Sequence, residues 1–317
     1  MKKIIAFFSC LLMALCAGCS SGGQTIRFGA AQVGGMYSLF ANAYSQIVTD
    51  NNEDYEVNVR STAGSAANLR LLSDNYLQMA IAQADIIDDA YNGKGEFEKK
   101  PLKGYSAVAA LYDEACQIVV RADSDIYSVD DLLDKTVCIG EEESGTERNA
   151  KDILKIYGLS DDLVDCVNYN YAEAADALVN NEIDAWFFTA GVKTTAIEEV
   201  TRNCDIRLLS IDDNHAKKLI ASCGAYSRYV IPAGTYKGQE ADTDTLCVKS
   251  ILLASDDLDS KTVEELTALL FENVQSIQYA LPLDLKLDET SATESVSIPF
   301  HKGAAAYYEK NGITVED

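Results

Sequence analysis

The chain has 317 residues, with 50 acidic against 26 basic side chains and a formal net charge of −24 at pH 7. A protein of this charge repels nucleic acid and anionic lipid surfaces, so we expect neither as a partner. The length is enough for two lobes, each with its own apolar core.

The first segment has the pattern of a bacterial lipoprotein signal. Two lysines precede an apolar run over residues 4–15, which is too short to span a bilayer, and small residues come directly before Cys19. We expect residues 1–18 to be a signal peptide, 19–24 to form a tether, and Cys19 to carry acyl chains that hold the protein on a membrane. The expected location is the outer face of a bacterial membrane or the periplasm. The alternative is an ordinary signal peptide that is cleaved nearby and leaves Cys19 as a thiol.

Strand patterns and helix patterns alternate along the remainder of the chain. The expected strands cover 25–29, 56–61, 79–83, 107–111, 117–121, 136–140, 166–169, 185–189, 206–211 and 246–254. The strands 107–111 and 117–121, separated by polar residues, are expected to lead from a first lobe into a second. This alternation predicts α/β lobes with largely parallel sheets, in which ligands bind beyond the carboxyl ends of the strands.

One short motif, G-[ST]-x-x-N, occurs twice, at 64–68 and at 145–149. Each copy follows a strand pattern and opens a helix pattern, so free backbone N–H groups at the positive end of a helix can receive an anion such as a carboxylate. The copies are far enough apart in the chain for one to lie in each lobe. The alternative is a pair of ordinary capped helices.

Eight loops of the chain occur in a fixed order. They are GAAQVGGMY at 29–37, STAGSAANLR at 61–70, IAQAD at 81–85, VRADS at 120–124, ESGTERNA at 143–150, FTAGV at 188–192, IPAGTY at 231–236 and IPFH at 298–301. Read in this order, over essentially all of the mature chain, they resemble the TAXI-type solute-binding subunit of a tripartite ATP-independent periplasmic (TRAP) transporter.

The resemblance implies a type II periplasmic-binding-protein fold, in which two α/β lobes are hinged around a ligand cleft. Lobe 1 would comprise residues 25–110 and 224–317, and lobe 2 would comprise residues 111–223. The protein would capture a small organic anion or an amino acid, such as a glutamate-like ligand, and deliver it to an ion-gradient-driven TRAP permease. Two alternatives share this fold: a sensory lipoprotein that presents its ligand to a membrane receptor, and the binding subunit of an ATP-driven importer.

The residues expected at the cleft lie in loops that follow strands. Hydroxyl and N–H groups near Ser65 and Thr146 can donate hydrogen bonds to a carboxylate, and the amide of Gln83 can reach an ammonium or a carboxylate group. The predicted ligand-binding residues are Gly35, Met36, Tyr37, Ser65, Asn68, Gln83, Ser144, Gly145, Thr146, Thr189 and Gly191.

Several polar residues near these loops have simpler interpretations. Tyr37 could pack at the start of its helix, and Asn68 and Asn149 could cap their helices or face solvent. Asp85 is interpreted as a helix cap, and Arg148 is expected to form exposed ion pairs.

Patterns typical of catalysis are absent from the sequence. The two histidines, His215 and His301, are far apart, and the chain contains no nucleophile motif or paired-cysteine spacing for a metal. The first loop has glycines spaced as in a phosphate-binding loop, but it lacks the lysine and hydroxyl residue that a nucleotide site requires. We therefore expect no enzyme activity, no cofactor and no metal.

Overall fold

The computed structural model describes residues 23–160, 162–283 and 285–317. The predicted signal peptide and the lipid site at Cys19 lie outside these residues. Within the described part of the chain, no helix has the length and apolar character needed to cross a membrane.

Strands and helices alternate as the sequence predicts. The strands are β1 (Gln24–Gly29), β2 (Tyr55–Arg60), β3 (Met79–Gln83), β4 (Tyr105–Arg121), β5 (Thr136–Cys138), β6 (Asp165–Val167), β7 (Ala185–Ala190), β8 (Ile206–Leu208), β9 (Ser227–Ile231) and β10 (Thr243–Ser255). The α-helices are α1 (Met36–Asn51), α2 (Ser65–Ser73), α3 (Ala84–Asn92), α4 (Gly145–Ile156), α5 (Tyr171–Val179), α6 (Thr195–Asn203), α7 (Asp213–Ser222), α8 (Ser260–Glu272), α9 (Val274–Ala280) and α10 (Lys302–Lys310).

The strands form one mixed sheet in the order β2-β1-β3-β10-β4-β7-β5-β6, with β8 beside β4 and β9 beside β10. Parallel pairs occupy both ends, in the groups β2-β1-β3 and β7-β5-β6. Strand β10 runs antiparallel to β3 and β4, and β4 runs antiparallel to β7. Two parallel halves are therefore joined through two long antiparallel strands.

Strand β4 is continuous over 17 residues, so the prediction of two separate strands here is wrong. Opposite β10, Asp113 pairs with Lys249 and Glu114 pairs with Val248, with one irregularity next to Lys249. The Lys249 ammonium lies 2.6 Å from the Asp113 carboxylate. Cross-strand partners far away in the sequence thus allow the polar segment to remain in the ladder.

The buried apolar side chains of the described residues form three clusters. One contains residues from both ends of the chain and packs around β1, β2 and β3, whereas the other two contain residues from the middle of the chain. The change of cluster falls between Tyr112 and Ala115 on β4 and between Val248 and Ile251 on β10. Both long strands therefore pass from one lobe to the other. The predicted boundary between the lobes at residue 224 lies earlier in the chain than the change of cluster on β10.

Both copies of the repeated motif open helices. Helix α2 begins at Ser65 and α4 begins at Gly145. The Ser144 hydroxyl caps α4, because its oxygen accepts a hydrogen bond from the Glu147 backbone N–H at 3.0 Å. Gly64 precedes α2 with φ of +133°, a conformation that requires glycine.

Candidate functional site

A small cavity lies between the two lobes, where loops after several strands meet. Its volume is about 30 Å³, which is room for about two water molecules. The two lobes therefore leave little free space between them in this structure. The cavity is lined by Ala31, Gly35, Met36, Tyr37, Ala63, Gly64, Ser65, Gln83, Glu114, Ser144, Gly145, Thr146, Tyr171, Thr189 and Ala190.

The two copies of the repeated motif face each other across this cavity. A Cβ atom at Gly64 would lie 3.3 Å from the Ser144 Cα atom. The backbone N–H groups of Ala66 and Ala67 donate to the Glu143 carbonyl oxygen at 3.2 and 3.4 Å. The amino ends of α2 and α4 therefore meet, one from each lobe.

Free donors at the start of α4 give the cavity an anion-binding end. The Glu147 N–H is satisfied by the Ser144 hydroxyl, but within the described residues the N–H groups of Gly145 and Thr146 have no acceptor. The Thr146 hydroxyl oxygen accepts from the Thr189 N–H at 3.2 Å, which leaves the hydroxyl proton available to a ligand. This end of the cavity carries the chemistry that a carboxylate requires.

Glu114 is a cavity residue that the sequence analysis missed. Its side chain is buried, and its Oε2 atom accepts hydrogen bonds from the Tyr37 hydroxyl at 3.1 Å and from Gln83 Nε2 at 2.8 Å. Burial raises the pKa of Glu114 to about 8, although the two hydrogen bonds oppose this shift. Because Asp113 directly precedes it, the local sequence reads as a polar break between two strands and carries no signal for a buried glutamate.

Tyr171 also lines the cavity and was not predicted. Its ring lies against Gly35, where a Cβ atom would come within 2.9 Å of the ring. Its backbone N–H donates to Gln32 Oε1 at 2.8 Å, and the Gln32 amide also donates to Glu141. The first loop of the chain is thus joined directly to the second lobe.

Nine of the eleven predicted ligand-binding residues line the cavity, and Asn68 and Gly191 do not. Gly191 lines a neighbouring hollow, and a Cβ atom there would lie 2.6 Å from the Leu283 side chain. The Asn68 side chain is fully buried among backbone groups. Its Nδ2 atom donates to the carbonyl oxygens of Ala30 and Ile81, both at 2.8 Å, and its Oδ1 accepts from the Thr62 hydroxyl at 2.7 Å.

Replacing Asn68 with alanine is expected to lower the free energy of unfolding by about 2–4 kcal/mol, since buried carbonyl groups of two loops lose their donor. Urea unfolding measures this change. Asn58, whose amide bonds the exposed Glu56 side chain, serves as the control, and its alanine variant should stay within about 0.5 kcal/mol of the parent. A loss below about 1 kcal/mol for the Asn68 variant contradicts the assigned role.

A second polar contact between the lobes joins Asp85 on α3 to Asn149 on α4. Asn149 Nδ2 donates to Asp85 Oδ2 at 2.9 Å and to the Tyr226 hydroxyl oxygen at 2.8 Å. Both side chains are fully buried, so the expectation that Asn149 caps its helix or faces solvent is wrong. Asp85 is not the N-cap of α3, which is Gln83. Burial raises the pKa of Asp85 to about 6, while the charge of Arg148 opposes this shift.

Ion pairs also join the two lobes. Arg148 lies 2.7 Å from the Asp89 carboxylate of the other lobe, and Arg70 forms two hydrogen bonds with the Glu143 carboxylate. Arg148 is only partly exposed, with 21% of its side chain accessible, rather than on the open surface as expected. Each partly exposed pair contributes about 1 kcal/mol or less, so their sum favours closure modestly.

Comparisons with known proteins identify the family of this chain and solved structures of similar fold. A family model described as the NMT1-like family matches residues 28–312. The binding-protein component of an ABC phosphonate transporter from Pseudomonas aeruginosa is 13% identical, with a TM-score of 0.52 over 82% of this chain and 78% of that chain.

Two further solved structures have a similar fold. A putative L-cystine ABC transporter protein from Listeria monocytogenes is 13% identical, with a TM-score of 0.52 over 81% of this chain and 94% of that one. An ancestral arginine-binding protein bound to arginine is 15% identical, with a TM-score of 0.51 over 81% of this chain and 96% of that one. The chain therefore belongs to the NMT1-like family, and it has the two-lobed α/β fold of the periplasmic binding proteins.

Proposed function

We propose that the protein is an extracytoplasmic solute-binding protein that closes its two lobes around a small carboxylate-bearing molecule. The observation that carries this proposal is the meeting of two helix amino ends across one cavity, with N–H groups at the start of α4 that have no acceptor among the described residues. Ligand contacts with both lobes favour the closed form over the open one, which couples binding to closure.

Delivery to a membrane permease completes the proposal. The resemblance of eight loops to TAXI-type subunits favours a TRAP permease, and a lipid on Cys19 would keep the protein beside it. An ATP-driven importer is the second candidate, because two of the similar structures are described as parts of ABC transporters. Uptake into vesicles that contain either permease, driven by an ion gradient or by ATP, separates the two.

Thermal unfolding with a panel of amino acids and mono- and dicarboxylates tests the binding function. The chain without its signal peptide is first unfolded and refolded, so that any copurified solute is removed. A ligand at about one hundred times its Kd stabilises the folded state by about 2.7 kcal/mol, which raises Tm by a few degrees. A flat response across the whole panel contradicts the proposal.

Replacing Thr146 with valine is expected to weaken solute binding roughly 10- to 100-fold. The change removes a hydroxyl that donates to the carboxylate while it keeps the shape of the side chain, and hydrogen bonds to charged groups contribute about 1.5–3 kcal/mol. Calorimetric titration measures Kd, and the Thr146→Ser variant, which keeps the hydroxyl, should bind nearly as well as the parent. An unchanged Kd in the valine variant argues against the contribution of the second lobe.

A further inference from the structure

Two buried oxygen atoms lack donors where α3 of one lobe meets α4 of the other. Asn149 Nδ2 donates to Asp85 Oδ2 and to the Tyr226 hydroxyl oxygen, so both amide hydrogens are used and the orientation of the amide is set. The remaining oxygens, Asp85 Oδ1 and Asn149 Oδ1, are buried and have no hydrogen-bond partner among the described residues. Since a buried acceptor without a donor is unfavourable, this contact is incomplete without a further hydrogen atom.

The negative charge around this contact is only partly compensated. The charge of Arg148 acts on Asp85, but the guanidinium group also lies 2.7 Å from the Asp89 carboxylate and 2.9 Å from the Asp152 carboxylate. One cation therefore serves three carboxylates. Backbone N–H groups at the start of α3 also favour the ionised form of Asp85, but burial outweighs them and raises the pKa of Asp85 to about 6.

One proton on Asp85 accounts for both observations. A carboxylic acid and a primary amide can pair side by side, because the amide N–H donates to one acid oxygen while the acid O–H donates to the amide oxygen. We propose that Asp85 is protonated in this contact and donates its O–H to Asn149 Oδ1, so that joining the lobes here takes up one proton from the solvent.

The contact is thus a proton-binding site between the lobes, and it lies outside the solute cavity. Neither Asp85 nor Asn149 lines that cavity. The inference goes beyond the proposed function, because no solute takes part in it. Its failure leaves the proposal for solute binding unchanged, and the reverse also holds.

The titratable and charged groups around Asp85 come from several parts of the chain. They are Arg148 and Asp152 on α4, Cys223 after α7, Tyr226 before β9, Glu114 and Cys116 on β4, and Asp89 on α3. Burial raises the pKa of Tyr226, Cys116 and Cys223, which therefore stay uncharged below pH 8. Burial also raises the pKa of Glu114 to about 8, so its charge changes in the same pH range as that of Asp85. The test is therefore made in chains that all carry Glu114→Gln.

Small-angle scattering of the solute-free, refolded chain tests whether this proton joins the lobes. A carboxyl group whose pKa is higher in the joined lobes than in the separated lobes favours the joined form at low pH. With a pKa of about 6 in the joined form and the ordinary 3.8 in the separated form, the ratio of joined to separated molecules should fall about 10-fold between pH 5 and pH 8. The radius of gyration should rise accordingly.

Two variants on the same helix separate Asp85 from its surroundings. With Asp85→Asn, the chain should stay compact at both pH values, because the new amide N–H supplies the donor without a proton from the solvent. Asp88→Asn is the control, since Asp88 lies on α3 but pairs with Lys94 at 2.6 Å, and this variant should keep the response to pH. Equal radii at pH 5 and pH 8 in the Glu114→Gln chain overturn the inference, and so does a response that survives Asp85→Asn.

Carbon-13 NMR of the side-chain carboxyl groups observes the proton directly. The resonance that disappears in Asp85→Asn belongs to Asp85, and it should titrate with a midpoint near pH 6. A purely structural contact with an ionised Asp85 would not give this result. A midpoint at the ordinary value of an aspartate overturns the assignment of the proton.

Discussion

The Gly145→Ala variant is expected to keep its fold but to lose at least 100-fold in solute affinity, because its lobes cannot close. A Cβ atom at this position would lie 2.2 Å from Gln83 Oε1 and 2.3 Å from Gln83 Cδ, across the boundary between the lobes. The Gln83 amide cannot turn aside cheaply, since it is buried and bonded to Glu114. Within its own lobe, alanine is a better helix residue than glycine at the start of α4.

Small-angle scattering measures whether the lobes close, and calorimetry measures the affinity for the solute. With saturating ligand, the parent protein should become more compact and the Gly145→Ala variant should not. Gly224→Ala is the matched control, because a Cβ atom there meets nothing within 4 Å and the change should leave closure intact. A Gly145→Ala variant that closes and binds like the parent would show that the closed contact between α4 and Gln83 is not used in binding.

The loops of the site were predictable from the sequence because their signals are local. Gly64, Ser65, Gly145 and Thr146 stand directly after strand patterns and open helices, and both features can be recognised within ten residues. Nothing in that local pattern shows that the two helix ends would face each other. Their meeting depends on how the lobes close.

Glu114 could not be predicted for a different reason. Together with Asp113 it reads locally as a polar break between strands, and only the pairing with Val248 and Lys249 keeps the segment in β4. That partner lies more than 130 residues further along the chain, so the register is set by tertiary structure. The same holds for Asn149, whose polar partner Asp85 belongs to the other lobe.

In the compact form that buries Glu114, the ligand-free protein is expected to lose stability as pH rises from 5 to 9, which is the reverse of the usual effect of acidic residues. The pKa of Glu114 is raised from 4.5 to about 8 in the folded state. Between these values the folded protein binds a proton that the unfolded chain has released, so the stabilisation is complete below pH 4.5 and is lost as pH rises toward 8. Each pKa unit corresponds to about 1.4 kcal/mol, so the loss is about 3–5 kcal/mol.

Comparison of the parent with Glu114→Gln isolates this effect. His301, whose pKa is lowered by burial, contributes equally to both chains and cancels in the difference. The repulsion between the Asp85 and Glu114 carboxylates is lost with Glu114 and is part of the measured effect. Glutamine resembles the protonated glutamate, so urea unfolding should give similar stabilities at pH 5 and a variant about 3–5 kcal/mol more stable at pH 9. Parallel pH profiles for the two chains would mean that Glu114 is ionised in the ligand-free protein and is not buried at a cost to stability. If the profiles diverge as expected, Glu114 costs stability when no ligand is bound, which is the signature of a residue retained for binding.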